Sequence, residues 1–172
     1  MKNLIAAFSL VILIASCSKK ETQPTSNQAD STKIVDSINA ARTKINDSIK
    51  SLNSKNRFKD FTGSHRFTHN LIKNAGKVEF VKIEDERDHY NVSGNIKSGE
   101  NFVKINGFMA VVTDKHMNFT GEISQSISEN DNGKIYTRKG TKTFMSKDGG
   151  KTWRLQDMIN GSGFVDYIDI HF

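Results

Sequence analysis

The sequence has one cysteine, one proline and one tryptophan in 172 residues. A lone Cys17 excludes an internal disulfide framework and a cysteine-based zinc cage. No apolar run is long enough for several membrane spans, and 26% of residues are charged, so the composition is that of a soluble domain with polar attachments. The net charge of +6 is a poor guide to partners, because residues 56–172 hold seventeen basic and fifteen acidic side chains. The region that folds is nearly balanced, which gives no support for a nucleic-acid partner. Clustered glycines before a helix, a serine nucleophile elbow, a His-Glu-x-x-His pair and a helix-loop-helix calcium loop are all missing. No catalytic residue, metal site or cofactor is therefore assigned.

What is present begins at the N-terminus. Lys2 precedes an apolar stretch from Leu4 to Ala15, interrupted only by Ser9. A spanning helix needs about 20 apolar residues, so a run this short reads as a signal peptide over residues 1–16. Its end, Ile14-Ala15-Ser16-Cys17, resembles the lipobox of bacterial lipoproteins. The resemblance implies cleavage before Cys17, lipidation of that residue and a membrane partner reached through the lipid. With Ser18 rather than Asp after the cysteine, it also implies an outer-membrane location in the cell envelope, on the periplasmic or surface face.

Residues 17–32 carry no aliphatic side chain larger than Ala29, and the sequence predicts a disordered tether there. From residue 33 the pattern changes. Ile34, Ile38, Ala41, Ile45, Ile49 and Leu52 recur at spacings of 4 and 3, the signature of one helix face, and predict a stalk helix over 33–52. Lys33-Ile34-Val35-Asp36-Ser37-Ile38 returns as Lys44-Ile45-Asn46-Asp47-Ser48-Ile49, eleven residues on, so both copies present the same face. Loose docking of this helix on its own domain is favoured over self-association.

Residues 56–172 read as strands. Alternation is clear in Phe61-Gly63-His65-Phe67, Tyr90-Val92-Gly94-Ile96, Val103-Ile105-Gly107-Met109-Val111 and Met117-Phe119-Gly121-Ile123. About eight short strands with turns of Asn, Asp, Gly, Ser and Lys predict an all-β, antiparallel up-and-down barrel, or a sandwich. Gly63, Gly94, Gly107 and Gly121 each follow an apolar and a small polar residue, which suggests bends or close backbone approach at equivalent levels of a curved sheet.

Ser146-Lys147-Asp148-Gly149-Gly150-Lys151-Thr152-Trp153 resembles the Asp-box, S-x-D-x-G-x-T-W, of sialidase propellers. The resemblance implies a hairpin and carries no catalytic residue. The stretch from Phe58 to Phe172 resembles uncharacterised lipoprotein domains of Bacteroidota, through Phe61-Thr62-Gly63, Arg66-Phe67-Thr68-His69-Asn70, Trp153-Arg154-Leu155-Gln156 and Val165-Asp166-Tyr167-Ile168-Asp169-Ile170. It is also loosely similar to lipocalin-type barrels, with Gly63, Trp153 and Arg154 in the places of the residues that close one barrel end.

If the barrel is hollow, His65 and Phe67 on the first strand and Trp153 and Arg154 on the last hairpin are the candidate ligand contacts, Trp153 the better candidate for the pocket. Arg154 points to the other face as an external closing contact. The favoured role is a non-enzymatic, lipid-anchored envelope module that binds a small apolar ligand, a glycan or a protein. A structural or assembly lipoprotein is the first alternative, with a filled barrel and an exposed apolar patch. A small hydrolase-like enzyme using His65, Arg66 or Arg154 in the barrel mouth is the second.

Overall fold

The computed structural model describes residues 27–172, so the signal sequence, Cys17 and the tether as far as residue 26 lie outside the described residues. The described chain divides into two compact units at Arg42/Thr43. Helix α1 (Asn27–Asn53) starts six residues before the expected position, inside the segment expected as tether. Residues 27–32 hold no Gly or Pro, and Gln28 and Ala29 are good helix formers, so nothing in that sequence stops the helix. Ile34, Ile38, Ile45, Ile49 and Leu52 are all exposed. No helix among the described residues is long and apolar enough to cross a membrane.

The second unit is a closed antiparallel barrel of eight strands in sequence order. They are β1 (Gly63–His69), β2 (Ile72–Lys82), β3 (His89–Ser98), β4 (Asn101–Thr113), β5 (His116–Ser126), β6 (Tyr136–Ser146), β7 (Thr152–Leu155) and β8 (Ile168–His171). Pairing of Arg66 with His171 and of His69 with Ile168 joins the first strand to the last and closes the ring. A short helix α2 (Ser128–Asp131) lies between β5 and β6. Closure leaves no edge strand to attract another chain.

Alternation decides which side chains enter. Val78 and Phe80, Val92 and Ile96, Val103, Ile105 and Met109, and Met117, Phe119 and Ile123 are 0–1% exposed. Lys77, Glu79, Ser93, Asn95, Lys104, Asn106, Glu122 and Lys139 stand outside. Apolar inside and polar outside is the reverse of a membrane-spanning barrel, whose outer band faces lipid. These inner side chains are sealed from solvent and form one continuous apolar cluster, so the barrel interior is filled by packed side chains.

The glycines sit where the sheet coils. Gly107 pairs with Gly121, and Gly121 with Gly140, on one level of three adjacent strands. A Cβ on Gly107 would stand 2.3 Å from the carbonyl oxygen of Thr120, and one on Gly121 2.3 Å from that of Asn106. The strands approach so closely there that any side chain would strike backbone.

The end of the barrel near Trp153 is plugged by residues 54–62. Asp88, buried and at a φ of 58°, accepts the backbone N–H groups of Arg57 (2.9 Å) and Phe58 (3.1 Å). The Tyr90 hydroxyl accepts from Asn56 Nδ2 at 2.8 Å and donates to Asp60 at 3.2 Å. Burial, and after it the Asp60 carboxylate, push that phenol up to about 12 against the pull of the Phe61 N–H. Arg87 donates twice to the Leu52 carbonyl (2.6 and 3.1 Å), and Lys82 to that of Ser54 (2.8 Å). The Leu52 carbonyl in the last turn of α1 thus finds a cationic donor on the β2–β3 hairpin, as the helix dipole favours, and Lys82 holds the carbonyl just beyond the helix.

Candidate functional site

The four proposed ligand contacts do not converge. Phe67 is 0% and Trp153 1% exposed, both packed in the core. Phe61 meets Trp153 edge-on at 5.8 Å and Phe172 at 4.6 Å. His65 is half-buried at the plugged end, donating from Nε2 to the Phe61 carbonyl (2.7 Å) with its ring 4.3 Å from that of Phe172. Arg154 lies on the outer wall, where alternation puts it.

The Asp-box sequence forms its hairpin between β6 and β7. Asp148 Oδ1 accepts the Thr152 N–H (2.9 Å), the Lys151 N–H (3.1 Å) and the Ser146 hydroxyl (2.9 Å). These bonds, the Thr152 N–H foremost, hold the carboxyl at about 2. Trp153 Nε1 donates to the Gly150 carbonyl at 3.1 Å, which satisfies the polar edge of a buried indole.

Arg154 follows directly. Its Nε and Nη2 donate to the two Asp169 oxygens at 2.8 and 2.7 Å, and its guanidinium stacks 4.3 Å from the Tyr167 ring. The Asp169 bonds, first among causes, raise the guanidinium pKa. Nη1 makes no bond to protein among the described residues, so both of its fixed N–H donors remain for a ligand. Two surface grooves meet at this pair. One, about 550 Å³, runs past Met145, Thr152, Gln156 and Met158; the other, about 300 Å³, runs past Arg66, Thr68, Lys73 and His171. His171 bridges β1 and β7, with Nε2 2.9 Å from the Thr68 hydroxyl and Nδ1 3.3 Å from that of Thr152.

The loop that supplies Met158 and Tyr167 is held from inside by a cluster that sequence reasoning missed. Asp166 is fully buried, and its Oδ2 accepts from Gln125 Nε2 (2.6 Å) and Arg138 Nη2 (3.0 Å). Oδ1 accepts from Asn130 (3.0 Å), with His69 Nε2 3.5 Å away. Arg138 also donates to Gln125 Oε1 at 2.5 Å and to the Asp157 carbonyl at 3.0 Å. Burial drives the Asp166 carboxyl up, but the nearby His69 imidazole and the bonds from Arg138 and Gln125 outweigh it and hold the group below the ordinary 3.8. His69 Nδ1 accepts the Leu71 N–H at 3.1 Å, which places the imidazole proton on Nε2, toward Asp166. One residue after the locked Asp166 stands Tyr167, and the Asp166 N–H holds the Met158 carbonyl at 2.7 Å. The signal lay in parity. Gln125 shares the inward parity of Phe119 and Ile123, and Arg138 that of Phe144, yet both are polar.

None of these groups forms a poised nucleophile and base. Asp166 is enclosed, Asp169 is neutralised by Arg154, and His171 faces two hydroxyls with no carboxylate to orient it. Among the described residues no three His, Cys, Asp or Glu side chains gather as metal ligands.

A family model, described as the PM1083 family, matches residues 42–172, that is, the last turns of α1, the plug and the whole barrel. The chain belongs to the PM1083 family. Within it, 111 residues are 33% identical to the uncharacterised protein PM1083 of Pasteurella multocida strain Pm70, covering 64% of this chain and 72% of that protein. No solved structure matches the chain. The PM1083 family match starts at the boundary between the two units, and the α1 residues before Arg42 lie outside it.

Proposed function

We propose that this PM1083 family barrel is a non-enzymatic binding module of the bacterial cell envelope, anchored through lipid on Cys17. It holds a glycan or a protein segment against its outer wall at Arg154 and Tyr167. The observation that carries this reading is the fixed guanidinium. Two bonds to Asp169 and the Tyr167 stack immobilise Arg154 at the junction of two grooves, with Nη1 unpaired among the described residues. A pre-ordered donor loses little entropy when a ligand arrives. The packed interior argues against the small apolar ligand within the barrel.

Assembly through the surface is the second reading. It is favoured by Ile159, Phe164 and Val165, 45–61% exposed on the loop between β7 and β8. One experiment separates the two. Wild type, Cys17→Ala, Tyr167→Ala and Phe164→Ser are fractionated and then purified under native conditions for mass spectrometry. The proposal expects Cys17→Ala to leave the membrane fraction. It also expects a bound species on wild type that Tyr167→Ala loses and Phe164→Ser keeps. Membrane retention of Cys17→Ala would contradict the anchor. A ligand-free wild type, or loss of the species from Phe164→Ser alone, would contradict the Arg154 groove.

A further inference from the structure

The two halves of the barrel wall treat their cations differently. On β5 to β8 the Lys and Arg side chains are Arg138, Lys139, Lys142 and Arg154, and each is ion-paired, with Asp166, Glu122, Asp157 and Asp169 respectively. On β1 to β4 stand Arg66, Lys73, Lys77, Lys82, Lys97 and Lys104, against the single acid Glu79. None of these six makes an ion pair among the described residues.

Three of the unpaired cations share one level of the sheet. Arg66 lies directly opposite Lys77, Lys77 opposite Asn95, and Asn95 opposite Lys104. With neighbouring strands about 4.8 Å apart, the row spans about 14 Å from Arg66 to Lys104. Like charges directly opposite one another destabilise a strand pair, so the Arg66–Lys77 contact weakens the barrel unless an anion joins it.

Shallow, open grooves run along the row. A groove of about 350 Å³ runs past Ser64, Arg66, Ala75, Gly76 and Lys77. A second, of about 500 Å³, continues from Lys77 past Ser93, Gly94, Asn95, Lys104 and Asn106. Lys77 lines both, and the backbones of Gly76 and Gly94 form part of their floors.

We infer that this cationic row binds an anionic polysaccharide, its carboxylate, sulfate or phosphate groups on Arg66, Lys77 and Lys104. Asn95 stands within the row, and the next level of the sheet carries Ser64, Glu79, Ser93 and Asn106, which match sugar hydroxyls as donors and acceptors. A nucleic acid would want an open aromatic platform for its bases, and the two rings beside the row are taken up, His65 by Phe80 and Phe172 and Phe102 by the Lys104 ammonium at 5.6 Å. A bilayer surface is flat, whereas these cations follow a groove around a convex wall. The row adjoins the Arg154 groove, which Arg66 also lines, but Lys77 and Lys104 lie outside that groove, so loss of uronate binding and loss of the Tyr167-dependent species are distinguishable.

The test uses the detergent-solubilised full chain, titrated calorimetrically with oligogalacturonate. Neutral dextran, a single-stranded oligonucleotide and phosphatidylglycerol vesicles serve as comparisons. Wild type should bind the uronate saturably, more weakly as salt rises. Arg66→Gln/Lys77→Gln/Lys104→Gln should lose at least about tenfold in affinity. Lys139→Gln, on the ion-paired half, should match wild type, and Tyr167→Ala should leave uronate binding unchanged. Absence of uronate binding, an unaffected triple variant with an unchanged melting curve, or equal or tighter binding of the oligonucleotide or vesicles would overturn the inference.

Discussion

Asp166→Asn is expected to destabilise the barrel by about 3–5 kcal/mol, because it strips the counter-charge from a guanidinium with no route to water. Arg138 is 2% exposed, and its Nη2 bond to Asp166 is charge-assisted. The amide keeps the shape but loses the charge, and it turns a donor toward Gln125 or Arg138. Denaturant melts at neutral pH measure the loss. Replacing both members with apolar side chains, Asp166→Leu with Arg138→Met, should recover much of it, since the pair is costly to break and far less costly to exchange. The same carboxyl sets an acid limit. Its folded value lies below the ordinary 3.8, so its stabilisation is complete above that value and is lost as pH falls through the lower, folded one. Asp166→Leu/Arg138→Met should lose less stability than wild type between neutral pH and that region. Equal melts for wild type and Asp166→Asn would contradict the buried pair.

Gly76→Ala is expected to be the most damaging single methyl that can be added to the sheet. Its Cβ would stand 1.9 Å from the Asn95 carbonyl oxygen and 2.7 Å from the Ile96 Cα, both backbone atoms that no rotamer change can move. Overpacking typically costs about 1–3 kcal/mol, and a backbone collision belongs at or beyond the top of that range. Gly99→Ala is the comparison. Gly99 has a φ of 60°, and nothing lies within 4 Å of the position a methyl would take there, so only the left-handed backbone penalty applies. That penalty is about 1–2 kcal/mol. Thermal melts of the two variants should therefore rank Gly76→Ala well below Gly99→Ala. The opposite order would show that the β2–β3 approach relaxes easily.

Alternation made the strands legible because a barrel wall has one wet and one dry face. The same regularity gave Arg154 its outward and Trp153 its inward direction, and it separated Asp166 from Asp169. The bend glycines were partly legible. Gly94, Gly107 and Gly121 stood out by their shared sequence context, whereas Gly76 follows Ala75 in a polar stretch and gave no sign of its clash with Asn95. The Asp148 hairpin was legible because its bonds run between residues at most four apart. The lock around Asp166 was not. Its partners Gln125, Asn130 and Arg138 lie 28 to 41 residues away, and only register brings them together. Whether the barrel was hollow was equally hidden, since alternation fixes which side chains point inward but not whether they meet. The fill comes from Phe67, Phe80, Tyr90, Phe119, Phe144 and Trp153, all at most 1% exposed.

That fill is the central claim, because it moves binding from the interior to the outer wall. Titration of the folded protein with an apolar fluorescent probe tests it most directly. A packed barrel predicts no saturable binding to wild type. Saturable binding that weakens in Trp153→Phe, with the variant still folded, would place a cavity beside the indole and contradict the account.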